Sequence, residues 1–225
     1  MEKKERLLPI LKQARDLWRQ DHKAAYARYD DLLQQYPGCA IVLREYGKAV
    51  LSEHDDYDKA VTLLEQALKA EPNALLTWLY LGLVYDFGYG QGYPAAVDAY
   101  RYIIAHFPAQ TQACVAAYLR IGMDRQAPGV KMSIQEAVDC FRQAIKLDPQ
   151  SPEAYQCLAQ GLYDEGDWQG AYEALEKAIH LREQRKMPYE HLLDRLRDLK
   201  ERRPLQTGMS DTPDIAFHWP DEELE

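Results

Sequence analysis

The chain has 225 residues, of which 47% are hydrophobic and 28% charged, with a net charge of -9. That balance excludes a collagen-like chain, disorder throughout and a disulfide scaffold; Cys39, Cys114, Cys140 and Cys157 stand far apart in no Cys-x-x-Cys pair and read as buried reduced thiols. The longest nearly apolar stretch, residues 75–85, is about half of the ~20 residues that a bilayer-spanning helix needs. No membrane span is expected, and the charged opening Met1-Glu2-Lys3-Lys4-Glu5-Arg6 makes the cytoplasm the default expectation.

Along the chain a block of thirteen residues recurs at 25–37, 60–72, 96–108, 137–149 and 171–183. Each copy opens on alanine: Ala25, Ala60, Ala96, Ala137 and Ala171. Four residues later come Tyr29, Leu64, Tyr100, Phe141 and Leu175, and three further Leu32, Ala67, Ile103, Ala144 and Ala178. Steps of four and three keep all of these on one helical face, which is therefore buried. Pro37, Pro72, Pro108 and Pro149 close the first four copies, and a proline cannot continue the hydrogen-bond ladder; Glu183 stands at the fifth.

Successive blocks begin 35, 36, 41 and 34 residues apart, room for a second helix and two short turns. That partner helix reads Leu43, Tyr46, Gly47 and Val50 before the second block, Trp78, Leu81, Gly82 and Tyr85 before the third, and Tyr155, Leu158, Ala159 and Leu162 before the fifth. In the first and fourth copies its frame stays open, because Pro9 interrupts the opening segment and Tyr118 falls where a small residue is wanted. Ser133-x-x-Glu136 is a capping box, Ser151-Pro152 a helix start, and Gly166-Asp167 a stop followed by a start. Beyond the blocks, Leu192, Leu193, Leu196 and Leu199 give residues 188–203 an apolar stripe on a charged helix.

The Trp-Leu-Gly-Tyr run followed by the alanine, large, small and proline series resembles the tetratricopeptide repeat. The resemblance implies an all-α, right-handed superhelical solenoid of about five antiparallel helix-pair repeats plus a C-terminal capping helix. The repeats fall roughly at 6–37, 40–72, 75–108, 110–149 and 152–185, with the cap at 188–203 and an acidic tail, too poor in apolar residues to fold alone, at 204–225. It also implies a concave side lined by the first helix of each pair. Flanking positions there are Arg44 and Lys48, then Leu76, Leu79, Leu83 and Asp86, then Gln156, Gln160 and Tyr163, pointing outward toward a partner. Relatives that clamp chaperone C-termini use asparagines that this chain lacks at the matching positions, so that clamp is not expected.

Candidate chemistry is sparse. Gly88, Gly90 and Gly92 have no following Gly-Lys-Ser/Thr for a phosphate loop. The six histidines form no His-x-x-x-His pair, and Asp55-Asp56 and Asp164-Glu165 read as turn residues that cap helices. Neither metal nor cofactor is expected, and the chain reads as a non-enzyme, with an enzyme built on the edge loops at residues 86–94 and 124–132 the remote alternative.

The charge is uneven. Residues 1–29 carry eight Lys/Arg against four Asp/Glu, residues 30–181 eleven against twenty-one, residues 182–203 eight against five, and residues 204–225 none against six. Such an acidic body disfavours nucleic acid and favours a basic peptide or protein surface. Two functions are expected: a protein-interaction scaffold holding a peptide or helix in the concave groove, or an assembly or regulatory subunit whose tail masks that groove. In the tail Ile215, Phe217 and Trp219 alternate among the acids as a short docking motif.

Overall fold

The computed structural model describes residues 2–18, 20–53, 56–88 and 92–202. Among them every regular element is helical: α1 (Glu2–Trp18), α2 (His22–Gln35), α3 (Ala40–Glu53), α4 (Tyr57–Ala70), α5 (Leu75–Gly88), α6 (Tyr93–His106), α7 (Thr111–Met123), α8 (Ile134–Leu147), α9 (Pro152–Glu165), α10 (Trp168–Gln184) and α11 (Glu190–Lys200). A single 3-10 turn, Asp124–Gln126, follows α7. No described helix is long and apolar enough to cross a membrane. The chain forms two compact units, the first reaching Tyr102 and the second beginning at Ile103.

Helix boundaries follow local chemistry. Asp21, Asp56 and Asp167 each accept a backbone N–H at the start of α2, α4 and α10, at 3.0, 2.9 and 2.9 Å. Ser133 and Glu136 close a reciprocal capping box on α8, and Pro152 opens α9 behind its Ser151 cap. The prolines work as stops: α2, α4, α6 and α8 all end two residues before one, whereas α10, with Glu183 in that place, continues to Gln184. Gly166 ends α9 at φ 92°, the left-handed region where a side chain is strained. Pro9 does not interrupt the opening segment; α1 runs through it with the ring on the solvent side.

Three pairs are locked by the same contact, a glycine of the first helix against the large residue of the second. A Cβ on Gly47 would meet Leu64 at 2.9 Å, one on Gly82 would meet Tyr100 at 2.6 Å, and one on Gly122 would meet Phe141 at 2.4 Å. This fixes the frame of the fourth copy, which the sequence left open: Gly122 is its small residue, and Tyr118 stands four residues earlier, where Trp78 stands before Gly82. In α1 the buried residues are Leu7, Leu11, Ala14 and Trp18. Trp78 itself is half-buried; its indole N–H donates to the Pro72 carbonyl at 2.8 Å and its ring stacks on Tyr102 with centroids 4.0 Å apart.

The edge loops differ from their sequence reading. Asp86 and Gly88 lie inside α5 and Tyr93 already belongs to α6, so the first loop is only residues 89–92, of which 89–91 fall outside the described residues. In the second, the 3-10 turn carries Arg125 onto Asp164 of α9 at 2.7 Å, tying the loop to its own unit. Asp164 and Glu165 are the last residues of α9 and cap nothing; Asp167 does that work.

In α11, Leu192 and Leu199 are buried and Leu196 half-buried, while Leu193 is exposed at 41%, because it sits off the three-and-four stripe of the others. The residues past 202, including Ile215, Phe217 and Trp219, lie outside the described residues.

Replacing Gly122 with alanine should lower stability by ~1–3 kcal/mol, because overpacking against Phe141 outweighs the ~1 kcal/mol that alanine adds to helix propensity. A thermal melt equal to or above the wild type's would show the fourth pair to be in another frame.

Candidate functional site

In the first unit the positions that spacing turns outward are largely occupied by packing. Leu79 is fully buried, Arg44 is 8% exposed and its guanidinium lies 3.4 Å from the Glu45 carboxylate, and Asp86 accepts the Tyr100 hydroxyl at 2.5 Å. A guanidinium and a carboxylate are thus drawn inward, where each finds a polar partner. Leu76 and Leu83 are half-buried and lean on the core of this unit. Lys48 keeps a half-exposed ammonium 5.4 Å from the Tyr80 ring centre, a cation–π distance.

Beside them lies an aromatic hub. Tyr29 and Tyr46 stack with centroids 4.9 Å apart, Tyr46 donates to Asp30 at 2.9 Å and receives the Lys59 ammonium at 2.5 Å, and that ammonium also stands over the Tyr26 and Tyr46 rings. Burial first, and nearby carboxylates second, push both Tyr29 and Tyr46 phenols well above their ordinary range. The hub holds α2, α3 and α4 together and leaves little free polar capacity, except that the buried Tyr29 hydroxyl has no hydrogen-bond partner.

The second unit presents a more organised arrangement. Gln156, Gln160 and Asp164 follow one another at steps of four along α9, and each is met by an arginine from another element. Arg182 of α10 reaches Gln156 and Glu153, each at 3.4 Å, and the Pro188 carbonyl at 3.1 Å. Arg195 of α11 donates to Gln160, and Arg125 pairs with Asp164 at 2.7 Å while Gln160 also donates to Asp164 at 2.8 Å. Gln156 is buried at 3% exposure, Gln160 and Tyr163 are half-buried, and Tyr163 meets Trp168 edge to face at 5.0 Å.

Cys157 lies beneath this row. Burial pushes its thiol up to about 12; Glu153 adds to the rise, and Arg120 and Arg195 oppose it without prevailing. The thiol is a packing group, not a nucleophile. Two ion pairs border the row, Arg125 with Asp164 and Arg182 with Glu153.

Sequence spacing found the glutamines and missed their arginines. The signal was available: Arg182 continues the buried series Ala171, Leu175, Ala178, and Arg195 falls three after Leu192 and four before Leu199. A cation at a stripe position points inward and needs a partner there.

The tetratricopeptide-repeat family profile matches residues 11–74, 50–88 and 133–188. The chain belongs to this family. The first helices α3, α5, α7 and α9 are those that carry the positions described above, and the family's packing signature accounts for the faces they bury. Solved tetratricopeptide-repeat folds of similar structure include MamA, with a TM-score of 0.64 at 20% identity over 75% of this chain and 92% of that one. A second is YrrB, described as having an unusual peptide-binding site, at 0.62 and 20% over 84% and 91%. A third is a thermophilic protein of Thermus thermophilus, at 0.57 and 16% over 86% and 98%. No curated protein matches by sequence.

Two measurements follow. Tyr29→Phe should leave stability unchanged or raise it by up to ~1 kcal/mol, since it removes a buried hydroxyl that lacks a partner, whereas Tyr46→Phe should cost ~1–2 kcal/mol with the bonds to Asp30 and Lys59; equal urea midpoints for the two variants would refute the hub. The buried tyrosines and Cys157 ionise from 10.0 and 9.0 in an unfolded chain but are held neutral in the folded one. The stability they contribute is therefore complete below about pH 9 and is lost as pH rises above it. With iodoacetamide and mass spectrometry, half-buried Cys39 and Cys140 should be alkylated first and Cys157 only on global unfolding; early labelling of Cys157 would contradict its burial.

Proposed function

We propose that this protein is a non-catalytic interaction scaffold that holds a peptide or helix of a partner protein against its first helices. The observation that carries the reading is the row on α9, where Gln156, Gln160 and Asp164 are each held by an arginine. Side chains fixed in this way present donors and acceptors without the entropy loss of ordering them on binding, which favours recognition of an extended backbone or a carboxylate. Gln160 and Tyr163, half-buried beside that row, are the contact residues proposed in the second unit; Lys48, Leu76 and Leu83 are those of the first. Arg44, Leu79, Asp86 and Gln156 act from beneath, by packing and by orienting their neighbours.

The likeness to YrrB, whose description includes a peptide-binding site, supports the class of ligand. The arginines along the row, Arg125, Arg182 and Arg195, favour an acidic segment over the basic one that the net charge of -9 suggests.

The test is selection of peptides from a displayed random library on the full-length protein, followed by titration of the selected peptides into Gln160→Ala/Tyr163→Ala and Lys48→Glu variants. Enrichment of acidic sequences, with affinity falling at least tenfold in one of the two variants, is the expected result. Failure to enrich any sequence, or undiminished binding to both variants, would remove the first helices as the binding surface.

A further inference from the structure

We infer that Gln160 is the pin of a hydrogen-bond relay that couples the cap helix α11 to the turn at Asp124–Gln126, so that the two loosen together. The coupling holds whether or not Gln160 touches a partner; its use in recognition rests on the scaffold reading.

All of the groups involved belong to the second unit. The Arg195 guanidinium donates to Gln160 Oε1, and Gln160 Nε2 donates to Asp164 Oδ1 at 2.8 Å. Asp164 Oδ2 in turn accepts Arg125 at 2.7 Å and Gln126 Nε2 at 3.5 Å. Gln160 and Asp164 stand one helical turn apart, the spacing at which a glutamine reaches an aspartate. A guanidinium only donates and a carboxylate only accepts, so one orientation of the amide between them satisfies both ends and the flipped one satisfies neither. Arg195 is 9% exposed, and the Arg125 and Asp164 side chains are 17% and 22% exposed, so water replaces a lost bond poorly.

The relay has a direction because Asp164 is badly placed on its own. It is the penultimate residue of α9, beside Glu165, at the end of the helix where the dipole repels a carboxylate. The Arg125 cation holds it there. Without that cation Asp164 turns to water, the Gln160 amide is free to flip, and Arg195 loses its acceptor. The turn that carries Arg125 lies within the longest of the block intervals, 41 residues against 35, 36 and 34, so it is added chain that no other copy has. At the other end, α11 has 11 residues, fewer than the ~12–15 at which an isolated helix holds in water, and no side chain caps its start. It stays helical by docking through the buried Leu192, Arg195 and Leu199, which makes it sensitive to the bond with Gln160.

The test is hydrogen–deuterium exchange read by mass spectrometry on the full chain, without ligand. Arg125→Met should speed exchange across α11 at least about threefold and leave α10 unchanged, and Arg195→Met should speed exchange at residues 124–132. In a Gln160→Met background, where the pin is gone, α11 should already exchange fast and Arg125→Met should add nothing. If circular dichroism shows Arg125→Met to be unfolded, Arg125→Gln, which keeps a donor without the charge, should act in the same direction. Unchanged exchange of α11 in the Arg125 variant, or the same further acceleration in the Gln160→Met background, overturns the relay.

Gln160 keeps a second N–H and a second oxygen lone pair beyond these bonds, and the relay fixes which way they point. A peptide selected from the displayed library on the wild type should therefore bind Arg125→Met at least about threefold less tightly; equal affinity overturns the part of the relay in recognition. If the library yields no peptide, the scaffold reading fails, and the exchange experiment still decides the relay.

Discussion

The contact on which the rest depends is a large side chain of one helix seated on a small residue of its partner. Leu64 on Gly47, Tyr100 on Gly82 and Phe141 on Gly122 are the same arrangement in three helix pairs. A missing Cβ lets two backbones approach closely enough for an entire leucine or aromatic ring to be enclosed, and each such enclosure is worth ~1.5–3 kcal/mol of burial. It also limits what these helices can offer. One side of α3, α5 and α7 is committed to its own partner, so any outward contact has to come from the residues that flank the small position and from what neighbouring helices bring to them.

That second requirement explains why charged residues sit so deep in the α9 cluster. Each guanidinium there loses hydration, and an isolated buried cation would cost several kcal/mol. The loss is tolerable because the acceptors are already in place: Glu153 and Gln156 for Arg182, Gln160 for Arg195, Asp164 for Arg125. Three separate elements, α10, α11 and the 3-10 turn, are thereby fastened to one helix by polar contacts. Hydrophobic burial alone fixes distance but not rotation, whereas these bonds fix which way the polar row of α9 faces. Structure and candidate site are in this sense the same set of bonds.

Much of this was legible in the chain and some was not, for identifiable reasons. The second helices could be read directly, because alanine, a large residue and a second apolar residue recur at steps of four and three and a proline marks the stop; the longer α10, which lacks that proline, shows how literal the signal is. The fourth first helix could not be framed, because Ala113, Ala116, Ala117 and Gly122 all offer small residues and only the position of Phe141 selects among them. The outward orientation of Arg44, Leu79, Asp86 and Gln156 was misjudged for a related reason. Helical spacing tells which residues share a face but not how deep a groove lies between three helices, and a position beside the packing stripe can be walled in by the next pair. Buried polar pairs such as Arg182 with Gln156, twenty-six residues apart, leave a trace only in the stripe position of the cation, which does not name the partner.

Net charge misleads for the same reason as spacing: it averages over surfaces that never meet. Acids such as Asp21, Asp56 and Asp167 stand at helix starts, where the helix dipole already accommodates them. Arg182 of α10 and Arg195 of α11 are drawn inward by the stripe positions they occupy, whereas Arg197 stays exposed beside Asp194, so cations gather around α9 in a chain that is acidic as a whole. Within about a Debye length, roughly 8–10 Å in physiological salt, a charge responds to its near neighbours and little to distant acids. The net charge of -9 therefore says little about what any one face of the second unit would attract.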